Sequence, residues 1–106
     1  LRHADLRHAD LRHADLRRAL LQGAYLQGAD LRLTNLQAAN LQAADLRIAN
    51  LWDADLRDAD LTGACFRDAW ITGCWLTESQ VMWLTLTGQL TSEQASVVKI
   101  TQEVAA

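Results

Sequence analysis

The chain has 106 residues, half of them apolar, with ten Lys and Arg against 13 Asp and Glu for a net charge of −3. This length supports one domain with a modest core, and no apolar run approaches the ~20 residues that span a bilayer. The Arg residues alternate with Asp instead of clustering, so the basic footprint of a nucleic-acid-binding surface is missing.

The first residue, Leu1, already stands in phase with a repeat, and no initiator Met precedes it. A processed, truncated or engineered start is one reading of that. No charged n-region leads into an apolar h-region, so the sequence predicts no signal peptide and a soluble chain. The cytoplasm is favoured; two Cys residues neither demand nor exclude a periplasm or lumen. Charge is uneven: residues 1–75 hold nine Arg against ten Asp, and residues 76–106 hold Lys99 against Glu78, Glu93 and Glu103.

From residue 1 to residue 75 fifteen pentads follow one another. Leu occupies every fifth position from Leu1 to Leu61, followed in the same phase by Phe66, Ile71 and Leu76, and Ala stands two residues before almost every one, with Thr34 and Cys74 as the exceptions. A period of five marches around an α-helix, which turns about 100° per residue, so no helical face is apolar. In a flat strand an odd period sends successive Leu side chains to opposite faces. Within a pentad, however, Ala and Leu are two apart and share a side. A bend before the next pentad returns the following pair inward, so the chain coils around its own Leu and Ala. Asp or Asn before each Leu then faces water, and Asn, Asp and Gly suit the bends.

The pentads A-D-L-R-H, A-N-L-Q-A and A-D-L-R-D resemble the motif A-[DN]-L-x-x of the pentapeptide-repeat family. The resemblance implies an all-β solenoid, a right-handed quadrilateral β-helix with four pentads per coil. Residues 1–76 are then about four coils, roughly 18 Å long at ~4.8 Å per strand. Stacking each residue on the one twenty later aligns four columns: Leu1, Leu21, Leu41 and Leu61; Leu6, Leu26, Leu46 and Phe66; Leu11, Leu31, Leu51 and Ile71; Leu16, Leu36, Leu56 and Leu76.

After Leu76 the repeat stops. Thr77-Glu78-Ser79-Gln80 reads as a capping box, with Leu76 and Val81 placed as a hydrophobic staple and Gly88 as the stop, so a helix is predicted over about 78–87. Thr91-Ser92-Glu93-Gln94 repeats the device before Val97, Val98, Ile100 and Val104, predicting a second helix over about 92–104. Residues 77–106 are thus read as a helical C-terminal cap over the exposed end of the last coil. Trp70, Trp75, Met82 and Trp83 are expected to meet there. The first coil carries no such element, so it is expected either to have lost one or to stack against another molecule, a second copy included.

Candidate sites are few. His3, His8 and His13 sit on successive walls, which argues against a shared metal and for a solvated row. The Asp and Arg flanking each Leu offer no cleft or positioned nucleophile, so no enzymatic activity and no cofactor is expected. Trp52 takes an outward position where most pentads carry Arg, Gln or Thr. It stacks above Arg32 with Leu33 beside it, which reads either as a local cation–π contact or as a binding hot spot. Tyr25 and Ile48 are lesser outward candidates. Cys65 should point outward and Cys74 inward, unlinked, and Thr34 is a core hydroxyl that needs a partner.

The functional expectation is a non-catalytic protein–protein interaction or structural scaffold module with an unknown protein partner, no membrane and no direct nucleic-acid contact. The family resemblance supplies an alternative, mimicry of duplex DNA to bind and protect a type II topoisomerase such as gyrase. Duplex DNA carries about one negative charge per 1.7 Å, so an 18 Å rod needs on the order of ten. The repeat supplies a net −1, the difference between ten Asp and nine Arg.

Overall fold

A computed structural model describes residues 1–101 of the chain. Each pentad contributes one tight turn, in which the amide of the inward Ala donates to the carbonyl of the Leu three residues earlier, as from Ala4 to Leu1 and from Ala49 to Leu46 at 3.1 Å. The residue before that Ala has a positive φ in all fifteen pentads, from His3 at 58° to Gly73 at 74°. Positive φ at the third turn position alone is the sign pattern of a type II turn. Only four of these fifteen positions are Gly, namely Gly23, Gly28, Gly63 and Gly73.

Between turns the backbone pairs with itself twenty residues on. Eleven parallel bridges, from Asp5 with Tyr25 to Asp55 with Trp75, arrange the outward positions in four columns. The hydrogen bonds run both ways along each column: Leu26 donates to the Asp45 carbonyl at 2.8 Å, while Asp45 donates to the Ala24 carbonyl at 3.0 Å. The two residues flanking each bridge point inward, and this fills the interior. Leu21, Leu26, Leu31, Leu36, Leu41, Leu46, Leu51, Leu56, Leu61, Phe66 and Ile71 are buried together with the intervening Ala residues. Leu6, Leu11 and Leu16 of the first coil are only partly buried against this cluster, and Leu1 is exposed. Thr34, standing in an Ala position, satisfies its buried hydroxyl by donating to the Leu11 carbonyl at 2.7 Å. Cys74 is buried, Cys65 half-buried, and both are free thiols; burial pushes the Cys74 thiol pKa up.

Beyond the pentads lie β1 (Trp75–Thr77), α1 (Glu78–Leu86), α2 (Ser92–Ser96) and β2 (Lys99–Thr101). Both helices start on the capping boxes read from sequence: Thr77 Oγ1 accepts from the Gln80 amide and Thr91 Oγ1 from the Gln94 amide, each with the reciprocal glutamine bond. Gly88, with φ 78°, follows the end of α1. Leu84 and Leu90 join the buried cluster, and Val81 packs against it.

The helix expected over 92–104 ends instead after Ser96, and β2 follows it; Val104 lies outside the described residues. The run Val97, Val98, Lys99, Ile100, Thr101 is β-branched at four of five positions, which favours extended backbone. An unpaired edge is also waiting for it. β2 pairs in parallel with β1 in the register Trp75 with Lys99 and Thr77 with Thr101, extending the column that ends in Asp55 and Trp75.

Two glutamines complete this end. Gln80 Nε2 donates to the carbonyls of Leu56 at 2.6 Å and Ala59 at 3.0 Å, and Gln89 Oε1 accepts from the Phe66 amide at 3.0 Å. Side chains thus supply partners that a further coil would otherwise have supplied. Among the described residues no helix is long and apolar enough to cross a membrane.

Candidate interaction surface

The outward position before each Leu serves the turn that follows it. Asp or Asn there accepts, through Oδ1, the amide two residues on, as Asn50 does from Trp52 at 3.2 Å and Asp30 from Arg32 at 3.3 Å. This local side-chain bond holds the chain in its turn. Where Arg follows the Leu, its guanidinium also grips the same carboxylate: Arg7 with Asp5, Arg12 with Asp10, Arg17 with Asp15, Arg32 with Asp30, Arg47 with Asp45 and Arg57 with Asp55, at 2.6–2.7 Å. The guanidinium bond, followed by the backbone amide, holds the carboxyls of Asp5, Asp10 and Asp15 at about 2. These ionic groups are thereby committed to turn geometry.

Each proposed contact residue can now be located. Trp52 is half-exposed at 50% and Leu33 at 51%, and the two are linked by the bond from the Leu33 amide to the Trp52 carbonyl at 3.0 Å. Arg32 does not stack on Trp52. Its guanidinium is held flat against Asp30 by two bonds of 2.8 and 2.6 Å, a stronger and better-aligned alternative. The cation–π contacts among the described residues are at Trp75 instead, with Arg57 at 5.3 Å and Lys99 at 5.2 Å from the ring centroid. Tyr25 is exposed in a different column, between Asp5 and Asp45.

Ile48 and Trp52 lie two residues either side of Asn50, and Asn50 bridges directly to Trp70. Trp70 is therefore not part of a C-terminal aromatic cluster as expected. It is 65% exposed in the column of Asp10, Asp30 and Asn50. The expected meeting of four side chains resolves into three places: Trp75 between two cations, Met82 and Trp83 beside Leu86 in a recess of about 280 Å³, and Trp70 beside Asn50. The signal for Trp70 was present in the sequence, since it occupies the pre-Leu outward position that normally carries Asp or Asn.

Ile48 carries a second peculiarity. Its φ is 54°, and it is more than half exposed. A β-branched residue in this left-handed region is a steric outlier costing on the order of 1–3 kcal/mol. Sister positions carry Gly, Ala, Asp, His, Arg18 or Leu33, none of them β-branched, and His3 and His8 lie over Gly23 and Gly28, where an added Cβ would come within 2.5 Å of their rings. Among the described residues no group of three or more His, Cys, Asp or Glu side chains gathers where it would hold a metal ion.

Comparison with known proteins gives a consistent result. A family model described as pentapeptide repeats matches residues 1–37 and 39–77 in eight copies. Among solved structures, the chain is 29% identical to a pentapeptide repeat protein from Nostoc PCC 7120, over 92% of this chain and 77% of that one, with a TM-score of 0.47. It is 38% identical to HetL, a pentapeptide repeat protein from Nostoc sp. strain PCC 7120 involved in heterocyst differentiation regulation. That match covers 68% of this chain and 38% of HetL, with a TM-score of 0.40. A pentapeptide repeat protein from the Arabidopsis thaliana thylakoid lumen is 28% identical, over 87% of this chain and 80% of that one, with a TM-score of 0.44. No curated protein matches the chain closely enough to count as a relative.

Proposed function

The chain belongs to the pentapeptide-repeat family of right-handed β-helices, and on that footing we propose that it is a non-catalytic module that binds a protein partner. In this reading residues 1–76 form about four square coils, and of the stretch 77–106 read as a cap the described residues 77–101 close their C-terminal end. The twenty-residue spacing of the bridges and the turn in each pentad support the square section. Pairing by β2, Gln80 and Gln89 supports the closure.

One observation carries the interaction reading: Ile48, Trp52 and Trp70 are all at least half exposed around a single bridged position, on a backbone fixed by hydrogen bonds on both sides. A rigid ladder loses little freedom when it binds, and exposed Trp is the residue type that anchors hot spots. Leu33, joined to Trp52, extends the surface, with Arg32 and Tyr25 at its margins. The DNA-mimic alternative has less support, because six of the ten Asp are neutralised by their own Arg. Homodimerisation through the half-buried Leu residues of the first coil is a second reading. Light scattering across a concentration series tests it, and a strict monomer at the highest concentration removes it.

Affinity capture from a bacterial lysate at low and high salt, with Trp52→Ala as a parallel bait, tests the main reading. The expected result is a protein that survives high salt on the wild-type bait and is lost from the Trp52→Ala bait. Recovery of the same proteins on both baits would remove Trp52 from the surface.

A further inference from the structure

The surface around Asn50 also has a charge environment that the pentad pattern conceals. Residues 1–50 hold seven Arg against five Asp, whereas residues 51–106 hold Arg57, Arg67 and Lys99 against five Asp and three Glu. The protein is thus mildly positive over its first half and strongly negative over its second, and Ile48, Trp52 and Trp70 begin where the sign changes.

Two carboxylates flanking these side chains are left over from turn formation. Asp53 follows Trp52, and Asp68 lies twenty residues after Ile48, in the same turn column. Neither forms an ion pair among the described residues, unlike the six Asp that are gripped by Arg. The free cation in the neighbourhood is Arg67, which shares with Asp68 and Cys65 a separate recess of about 310 Å³ beneath Gln89 and Gln94. Along the strand direction, then, the exposed surface reads carboxylate and Ile48 at one turn, Trp70 beside Asn50 in the middle, and Trp52 and carboxylate at the other.

Building on the interaction reading above, we propose that the partner segment is an extended basic peptide, in which a large apolar side chain settles between Trp52, Trp70 and Ile48 and flanking Lys or Arg side chains reach Asp53 and Asp68. Each part of the surface then has an occupant. Trp rings accept both apolar side chains and cations. The leftover carboxylates at the two turns repel an acidic segment and draw in a basic one. Ile48, held in a turn conformation that suits Gly better, supplies apolar contact on the side away from Trp52.

The test uses three fluorescein-labelled ten-residue peptides of alternating Lys and Leu, Gln and Leu, or Glu and Leu, titrated with the whole chain by anisotropy at ~50 and ~300 mM salt. The Lys peptide is expected to bind at least about tenfold tighter than the Glu peptide at low salt, with a smaller ratio at high salt. Trp52→Ala and Trp70→Ala should each weaken it by about tenfold, and Asp53→Asn with Asp68→Asn should bring the Lys peptide down to the affinity of the Gln peptide. Ile48→Gly, a substitution that relieves the turn, should weaken binding without lowering the melting temperature. Equal affinity for the Lys and Glu peptides overturns the proposal, as does Lys-peptide binding that survives both Trp substitutions or the absence of binding by all three. A lysate partner lost with Trp52→Ala, with no preference for the Lys peptide, would leave the interaction surface standing and sink only its basic ligand. Failure of both experiments would remove the interaction reading itself.

Discussion

Truncating Leu46 to Ala removes a fully buried side chain from the middle of the stack, with Leu26 below it and Phe66 above it in the same column. The neighbouring layers are pinned by hydrogen bonds on both sides, so the walls have little room to collapse, and the cost should fall near the centre of the range for buried Leu, about 3 kcal/mol. For a domain of about this size each kcal/mol lowers the melting temperature by roughly 4–8 °C, giving a loss of about 12–24 °C. Leu6 occupies the same column one layer before Leu26 but is only partly buried. Leu6→Ala should therefore cost about half as much, near 1.5 kcal/mol, and roughly 6–12 °C. Thermal melts followed by far-ultraviolet circular dichroism, with a urea series as a second measure, make the comparison. Equal losses for the two substitutions, or a larger loss at Leu6, would refute the difference in burial between the first coil and the middle of the stack.

Leu51→Asp places a carboxylate without a partner among Leu31, Ile71 and their neighbours, and should abolish the cooperative melt altogether; a retained transition would contradict the inward register. Gln80→Ala leaves the Leu56 and Ala59 carbonyls without the donor described above and opens a capping box, so a loss of about 1–3 kcal/mol is expected in urea denaturation, whereas an unchanged midpoint would mean that water replaces the amide at no cost. The carboxyls of Asp5, Asp10 and Asp15 sit at about 2 beside their Arg partners, below the 3.8 of a free carboxyl. Because the folded value is the lower one, their stabilising contribution is complete above pH 3.8 and disappears as the pH falls through about 2. Carboxyl carbon chemical shifts followed by NMR should show midpoints near 2, and midpoints near 3.8 would mean that the Arg grips do not persist in solution.

How much of this was legible in the sequence depends on how local each cause is. The inward Leu and Ala follow from a period of five, and the two capping boxes follow from residues three apart, so both could be read directly. The left-handed residue of each turn was hinted at by Gly23, Gly28, Gly63 and Gly73, yet eleven sister positions carry side chains that disguise it. β2 could not be read because its reason for existing is an edge at Trp75–Thr77, twenty-four residues earlier, and Val97, Val98 and Ile100 fit a helical stripe as well as a strand. The edge-filling roles of Gln80 and Gln89 are equally non-local. The column places Arg32 with Trp52, but its own Asp30 two residues back is charged and grips it at 2.6 Å. For Trp70 the place in the pentad is a better guide than the place late in the chain.

The ladder bonds make the protein mechanically asymmetric. Each coil is held only by its neighbours, and a tether pulling on the first coil would load the bonds from Leu6 to Tyr25, Leu11 to Asp30 and Leu16 to Asn35 one after another. That is an unzipping geometry, in which force is borne by one isolated bridge at a time. At the other end a pull would have to strip β2 from β1, where three successive residues are paired, Trp75 with Lys99 to Thr77 with Thr101. As a force-bearing element the protein should therefore unravel readily from its first coil and resist from its last, a directional fuse built from repeated layers.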